Sequence, residues 1–274
     1  MIIDVEQERE FYDQAYAQHS RAADHALACN REILVHQIDD PASPMHERRR
    51  LYRGVLEALL SEPLTGTKAL DYACGTGEWG VMMATEGAEV ALLDLSSVAI
   101  EVGLRRARGS GVADRVRGFA RDASDMSCFA DGEFDLIYAS AAVHHTMKYP
   151  NALAELLRVL KPGGRLVLAE GYGNNGLLNL ARRLRWRISG EAEEAGEGII
   201  FSDADVRTLR QHMTSVGITP LNLFGMAKRV FRGRFTNRGV RLAMGALESL
   251  DSVAFAVFPF LKRYCGELVV VARK

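Results

Sequence analysis

One stretch restricts the fold more than any other: Leu70-Asp71-Tyr72-Ala73-Cys74-Gly75-Thr76-Gly77-Glu78-Trp79-Gly80. The run from Lys68 to Cys74 suits a buried strand. Gly75 and Gly77 permit a tight turn in which backbone approaches a ligand with no Cβ between them, and the segment that follows suits a helix. The first N–H groups of such a helix point at whatever sits above the turn, so the stretch reads as the floor of a cofactor site. Gly75, Gly77 and Gly80 also spell GxGxxG, and Asp94 lies near the spacing of a dinucleotide site's ribose acid, so a NAD(P)-dependent oxidoreductase is one reading. Asp71 favours another. A turn built for pyrophosphate gains nothing from a carboxylate aimed at the same crevice, whereas a cationic ligand does.

Composition narrows the classes further. With 274 residues and 48% hydrophobic content, the chain forms one large domain or a domain with insertions, not a disordered or collagenous segment. Lys and Arg total 34 against 35 Asp and Glu, which implies no bulk attraction to nucleic acid or membrane. Cys29, Cys74, Cys128 and Cys265 have no metal-ligand spacing and read as free thiols, with Cys74 a small buried residue; no metal is expected. The first ten residues lack an apolar core of the signal-peptide type, and Ser252 to Leu261 is too short to span a bilayer. A soluble, cytoplasmic protein is expected.

Further strands and helices alternate along the chain. Residues 4–38 read as helical, and a helix over Met45 to Leu60 carries Arg48, Arg49, Arg50 and Arg53. That run reads as a solvated face, with a guanidinium reaching a cofactor carboxylate as the alternative. Ala88 to Leu95, ending in Asp94, has the apolar pattern of a parallel strand buried on both faces. A helix over Ser97 to Arg108 and a third strand, Arg115 to Arg121, lead to Asp122-Ala123. A fourth strand lies within Asp131 to Ser140, an amphipathic helix over Tyr149 to Leu160, and a fifth strand, Arg165 to Glu170, follows the turn Lys161-Pro162-Gly163-Gly164.

The glycine stretch, the Asp131-Gly132-Glu133-Phe134-Asp135-Leu136-Ile137-Tyr138-Ala139-Ser140 motif and the Leu-Lys-Pro-Gly-Gly turn together resemble the class I S-adenosylmethionine-dependent methyltransferases, over about residues 66–172. The resemblance implies a Rossmann-like α/β fold: a seven-stranded, mostly parallel sheet with helices on both faces, the last strand antiparallel, and helical lid insertions. It implies S-adenosylmethionine as cofactor, held by Asp71, Ala73, Gly75, Thr76, Gly77, Asp94, Leu95, Asp122, Ala123 and Ser140. In that family the acid at Asp94's place accepts both ribose hydroxyls, helix capping being its alternative use here, and the acid at Asp122's place takes the adenine amino group. Tyr12 and Tyr16 resemble the aromatic-rich helix that closes over the cofactor, with core packing as the alternative.

His144 and His145 stand just past the fourth strand, where an acceptor meets the methyl group, and an imidazole takes a proton from a hydroxyl near neutral pH. Glu170, at the end of the fifth strand on the same sheet edge, is placed to orient a histidine or a substrate hydroxyl; Tyr172 is a lesser candidate. Leu177 to Ile188 is basic and amphipathic and Glu191 to Gly198 acidic, read as a lid and acceptor pocket with a membrane-surface helix as rival. Ser202 and Asp205 resemble a capping box for a helix to Val216, followed by strands over Ile218 to Phe224 and Gly266 to Arg273; Asn237 to Leu261 reads as one or two helices packed on the body or on a second subunit.

The expected organisation is therefore an N-terminal helical lid (1–62), a cofactor-binding core (63–172), a substrate or lid insertion (173–201), and the remaining core with a helical insertion at 226–262 (202–274). The expected activity is methylation of a small molecule, a natural-product or sugar-type metabolite, with oxygen slightly ahead of nitrogen or carbon. Other uses of the same cofactor, such as cyclisation, stay open. The partners expected are a small-molecule substrate and a possible homodimer, with neither nucleic acid nor membrane.

Overall fold

The structure is a computed structural model that describes residues 5–146, 151–176, 178–180 and 200–274, with only the backbone described for Ser20 and His145. The helices are α1 (Val5–Tyr16), α2 (Arg31–Asp39), α3 (Arg49–Leu59), α4 (Glu78–Thr85), α5 (Ser97–Gly109), α6 (Val143–Thr146), α7 (Ala152–Val159), α8 (Asp203–His212) and α9 (Arg238–Val257). The strands are β1 (Lys68–Tyr72), β2 (Glu89–Asp94), β3 (Val116–Ala120), β4 (Phe134–Ser140), β5 (Leu160–Gly171), β6 (Ser215–Leu221) and β7 (Glu267–Arg273). They form one sheet in the order β3-β2-β1-β4-β5-β7-β6, in which β7 runs against both neighbours and the other pairings are parallel. This is the Rossmann-like α/β arrangement that the resemblance implies.

Burial on both faces explains why β2, β4 and the Leu166 to Ala169 part of β5 are almost continuously apolar. One face packs on Leu51, Val55 and Leu59 of α3 and Met82 and Met83 of α4; the other on Leu156 and Val159 of α7 and Val206 and Leu209 of α8. The pairings Tyr72 with Ala139, Asp94 with Ala120 and Ser140 with Ala169 bring the carboxyl ends of the strands to one edge. The order turns back at β1 and β4, and a crevice opens there.

Several local expectations shift. The N-terminal helix does not run through residues 4–38: it ends at Tyr16, and α2 starts at Arg31, where the Asn30 side chain accepts from Ile33 N–H at 2.8 Å. Between them the chain is pinned to α5 by Asp24, which accepts from Arg105 at 2.7 Å and Arg108 at 3.1 Å. The contact is so close that a Cβ on Gly109 would stand 2.0 Å from the Asp24 carbonyl oxygen. The arginine run is not a solvated face. Arg48 turns to Glu267 (3.5 Å), Arg49 to Glu248 (2.5 Å) and Arg50 to Asp251 (3.2 Å), and only Arg53, paired with Asp39, is largely exposed.

The Lys161 to Gly164 turn lies within β5 as an irregularity, the register jumping from Phe134–Leu160 to Leu136–Arg165. The Ser202–Asp205 capping box is present, but α8 stops at His212. The β6–β7 ladder takes over from Ser215, opposite Arg273, so that β6 lies three residues earlier than expected; as an edge strand it tolerates Pro220. Residues 226–262 contain one long helix, α9, capped by Asn237 and packed on the body through Met244, Ala254 and Phe255. Most of the expected lid at Leu177 to Gly198 lies outside the described residues. No helix among the described residues is long and apolar enough to cross a membrane.

Candidate active site

The end of β1 enters a left-handed turn: Ala73 has φ 53°, Gly75 φ 53° and Gly77 φ 75°. Gly77 caps α4, and a Cβ there would meet the Gly103 Cα at 3.1 Å, so the turn can lie this close to α5 only with glycine. Buried Arg106 fixes the loop, donating to the Thr76 carbonyl at 2.8 Å and to Glu78 at 2.7 Å, while the Thr76 hydroxyl donates to Glu78. At the end of β4, Ala141 also has positive φ (52°). For alanine this conformation costs about 1–2 kcal/mol, and both strained alanines border the same cavity.

That cavity, of about 330 Å³, opens at the carboxyl edge. Of the residues singled out from sequence, Tyr12, Tyr16, Ala73, Asp94, Leu95, Asp122, Ala123, Ser140 and His144 line it. Gly75, Thr76 and Gly77 form the turn beside it, and a Cβ on Gly75 would stand 3.2 Å from the Tyr16 hydroxyl. Tyr12 and Tyr16 stack at 6.0 Å along α1, which is held down by Asp13 accepting from the Ser96 hydroxyl at 2.5 Å.

Asp94 is 7% exposed and takes one backbone N–H on each oxygen, from Gly75 at 2.8 Å and Ser96 at 2.9 Å. Each oxygen keeps acceptor capacity for a second donor. Burial pushes its pKa up to about 6 despite these hydrogen bonds. The helix cap itself is Ser96, which accepts from Ala99 N–H at 3.0 Å. Asp122 accepts from Ser124 N–H at 2.8 Å at the far wall.

Asp71 is placed differently from the expectation. It is buried below the turn and accepts from Gly80 N–H at 2.8 Å, and burial raises its pKa well above the carboxylate range. It does not line the cavity. Among the described residues the acidic character comes instead from Glu8, Asp94 and Asp122, against the guanidinium of Arg121. Glu8, Arg121 and Thr146 were not singled out from sequence. For Glu8 a signal existed: it precedes Tyr12 and Tyr16 at intervals of four, on one helix face.

The second group comes from α6 and β5. Glu170 is fully buried; one oxygen accepts from Val143 N–H at 2.9 Å and Ala142 N–H at 3.2 Å, anchoring the start of α6. The other lies 2.6 Å from His144 Nδ1. A carboxylate there takes the Nδ1 proton and leaves the lone pair on Nε2. The side chain of His145 lies outside the described residues. Tyr172 is turned away, bonded to Asp203 and Asn174, and ties β5 to α8. Burial also raises the Cys74 thiol pKa well above its usual range, in keeping with a packing role. Among the described residues no cluster of three or more metal-ligating side chains occurs.

Residues 69–164 match the model of a methyltransferase domain. The demethylmenaquinone methyltransferase of Clavibacter sepedonicus is 42% identical over 108 residues, which is 39% of this chain and 42% of that protein, so the chain spans less than half the length of that relative. Among solved structures, the cyclase SpnF aligns with a TM-score of 0.53 at 22% identity, over 82% of this chain and 80% of its own. Magnesium protoporphyrin IX methyltransferase of Synechocystis PCC 6803, solved with bound S-adenosylhomocysteine, aligns at 0.50 and 16%, over 84% of both chains. These structural likenesses establish the fold. By this match, its strand order and its glycine turn, residues 69–164 carry a methyltransferase domain of the class I S-adenosylmethionine-dependent kind.

Proposed function

We propose that the chain binds S-adenosylmethionine in the 330 Å³ cavity and methylates a small hydroxylated molecule, with His144 as base and Glu170 as its positioning partner. The cavity's residues fit the cofactor. Among the described residues, three carboxylates against one guanidinium suit a ligand with a sulfonium and an ammonium better than one with a pyrophosphate, which argues against the oxidoreductase reading. The Gly75 turn leaves a cradle that a Cβ would fill against Tyr16. In this reading Asp94 accepts the ribose hydroxyls, Asp122 and the backbone of Ala123 take the adenine edge, Gly75 to Gly77 and Ala73 form the floor, and Tyr12 and Tyr16 on α1 form the lid. Leu95 packs beside the ribose acid. The division into lid, core and insertions at residues 62, 172 and 201 belongs to the same proposal.

The bound cofactor supplies a methyl group already activated on sulfur. The chain's task is then to align the acceptor and move its proton. Small residues Ser140, Ala141 and Ala142 leave room for the acceptor at the end of β4, and His144 Nε2 takes the hydroxyl proton while Glu170 stabilises the imidazolium through Nδ1. The observation that carries the proposal is the 2.6 Å His144–Glu170 contact at the wall of an acid-lined cavity.

Deprotonating a hydroxyl on an aromatic ring also activates the neighbouring ring carbon, so the same residues serve carbon methylation. The Clavibacter sepedonicus relative, named for demethylmenaquinone, favours this second reading. The test is incubation with trideuteromethyl-labelled cofactor and a panel of sugars, phenols and hydroquinones, with products located by mass and by NMR. Label on oxygen supports the first reading and label on a ring carbon the second. Turnover undiminished in both His144→Ala and Glu170→Gln would overturn the base assignment.

A further inference from the structure

Among the described residues, twelve large hydrophobic side chains are exposed, and nine of them lie between Phe224 and Tyr264. On α9 they form a strip. Leu242, Ala246, Leu250, Val253 and Val257 recur at intervals of four, four, three and four, one helix face over about 22 Å, while Met244, Asp251, Ala254 and Phe255 face the body. Leu242, Val257 and Phe260 are 66%, 60% and 64% exposed.

The charge of this segment is lopsided. Residues 226–264 hold eight Lys and Arg but two acids, in a chain whose net charge is −1. Both acids are spent inward, Glu248 on Arg49 and Asp251 on Arg50 and the backbone of Phe224. Lys228 turns in to Glu267 and Arg232 pairs with Glu47, but Arg234 and Arg238 lie exposed before the apolar strip and Lys262 after it, beside Arg263, which is exposed and 3.9 Å from Asp203. A two-fold contact with another copy would set basic end against basic end in either orientation, which costs energy. A strip bordered by one hydroxyl, Ser249, which donates to the Gly245 carbonyl, basic at both ends and followed by Phe258 and Phe260, matches the chemistry of an anionic lipid surface.

We propose that α9 and its flanking turns form a docking surface for an anionic membrane, lying in the interface plane. The segment leaves the sheet after Leu221, which pairs with Glu267, itself paired with Gly171, so it emerges at the carboxyl edge that carries the cavity. Docking there brings the site to the bilayer surface. This inference does not depend on the methyltransferase reading, because its test reads binding and not turnover.

The experiment is flotation of the full chain with vesicles of phosphatidylcholine alone or with phosphatidylglycerol. Binding to the anionic vesicles is expected to be on the order of a hundredfold tighter and to weaken as salt rises. Val253→Asp with Val257→Asp is expected to abolish flotation while leaving the melting temperature and S-adenosylhomocysteine affinity unchanged. Absence of flotation of the unmodified chain, or flotation indifferent to the double substitution, would overturn the proposal. So would a dimer in light scattering that the substitution dissolves, assigning the face to a second copy, or a fall in melting temperature, assigning it to this chain's own packing. Capture of an acidic protein with no vesicle binding would equally exclude the lipid surface.

Discussion

Asp94 links the site to the stability of the chain in a way that can be measured without an acceptor. Its carboxyl is 7% exposed and its pKa is raised from 3.8 to about 6, with burial the main cause and Asp13 across the α1 contact a further one. The folded chain therefore holds this proton more tightly than the unfolded chain. Stability falls as pH rises from about 4 to about 6, by about 3 kcal/mol for this group, and the full cost is carried above that range. Asp94→Asn removes the buried charge, but its carboxamide cannot accept both the Gly75 and Ser96 N–H groups and loses about 1–2 kcal/mol. The two effects give a crossing. In urea unfolding without ligand, the variant is expected to be less stable than the parent at pH 4 and more stable, by about 1–2 kcal/mol, at pH 8. At pH 8 it should bind S-adenosylhomocysteine more weakly by about 1–3 kcal/mol, having lost charged acceptors for the ribose. A variant destabilised equally at every pH would refute the burial argument, and unchanged affinity would remove Asp94 from the cofactor site.

Four further outcomes are expected. Glu170→Gln keeps an acceptor for the Ala142 and Val143 N–H groups but presents an amide N–H to His144, moving its proton to Nε2; turnover should fall about 10²–10⁴-fold with S-adenosylhomocysteine affinity intact. Parallel kinetics of His144→Ala and His145→Ala should show that loss for His144 alone. Gly80→Ala would set a Cβ 2.4 Å from Leu92 Cδ2 and 2.8 Å from Asp71 Oδ2, so thermal unfolding should register a loss of about 1–3 kcal/mol. Burial alone would raise the pKa of Glu267, but Lys228 and Arg48 hold it down to about 2, so its contribution is present above the usual carboxylate range and lost as pH falls toward 2. Glu267→Gln should cost about 3–5 kcal/mol at pH 7 and little at pH 2, as read by denaturant titration at the two pH values.

The strands and their carboxyl edge were legible because two-sided burial leaves few polar residues in a strand, and those at the ends, Asp94 and Glu170, stand at that edge. The direction of Asp71 was not. In a strand buried on both faces the apolar pattern is symmetrical, and whether an acid reaches the crevice or the helix beneath depends on Gly80, where the missing Cβ leaves it space. The arginines of α3 read as a solvated run because their partners are remote: Arg49 and Glu248 are 199 residues apart, Arg50 and Asp251 201. Helix ends moved where pairing elsewhere took precedence, as when the β6–β7 ladder claimed Ser215 and Val216. Glu8 was readable in principle from its spacing to Tyr12, but a glutamate on an amphipathic helix is ordinarily a solvated residue.

The most direct test of the account is calorimetric titration of the purified chain with S-adenosylhomocysteine, S-adenosylmethionine and NAD. Both adenosyl ligands are expected to bind with about micromolar affinity, and NAD to give no heat. Heat from NAD alone, or from none of the three with the chain folded, would contradict it, and the assignments of Asp94, Asp122 and His144 would fall together.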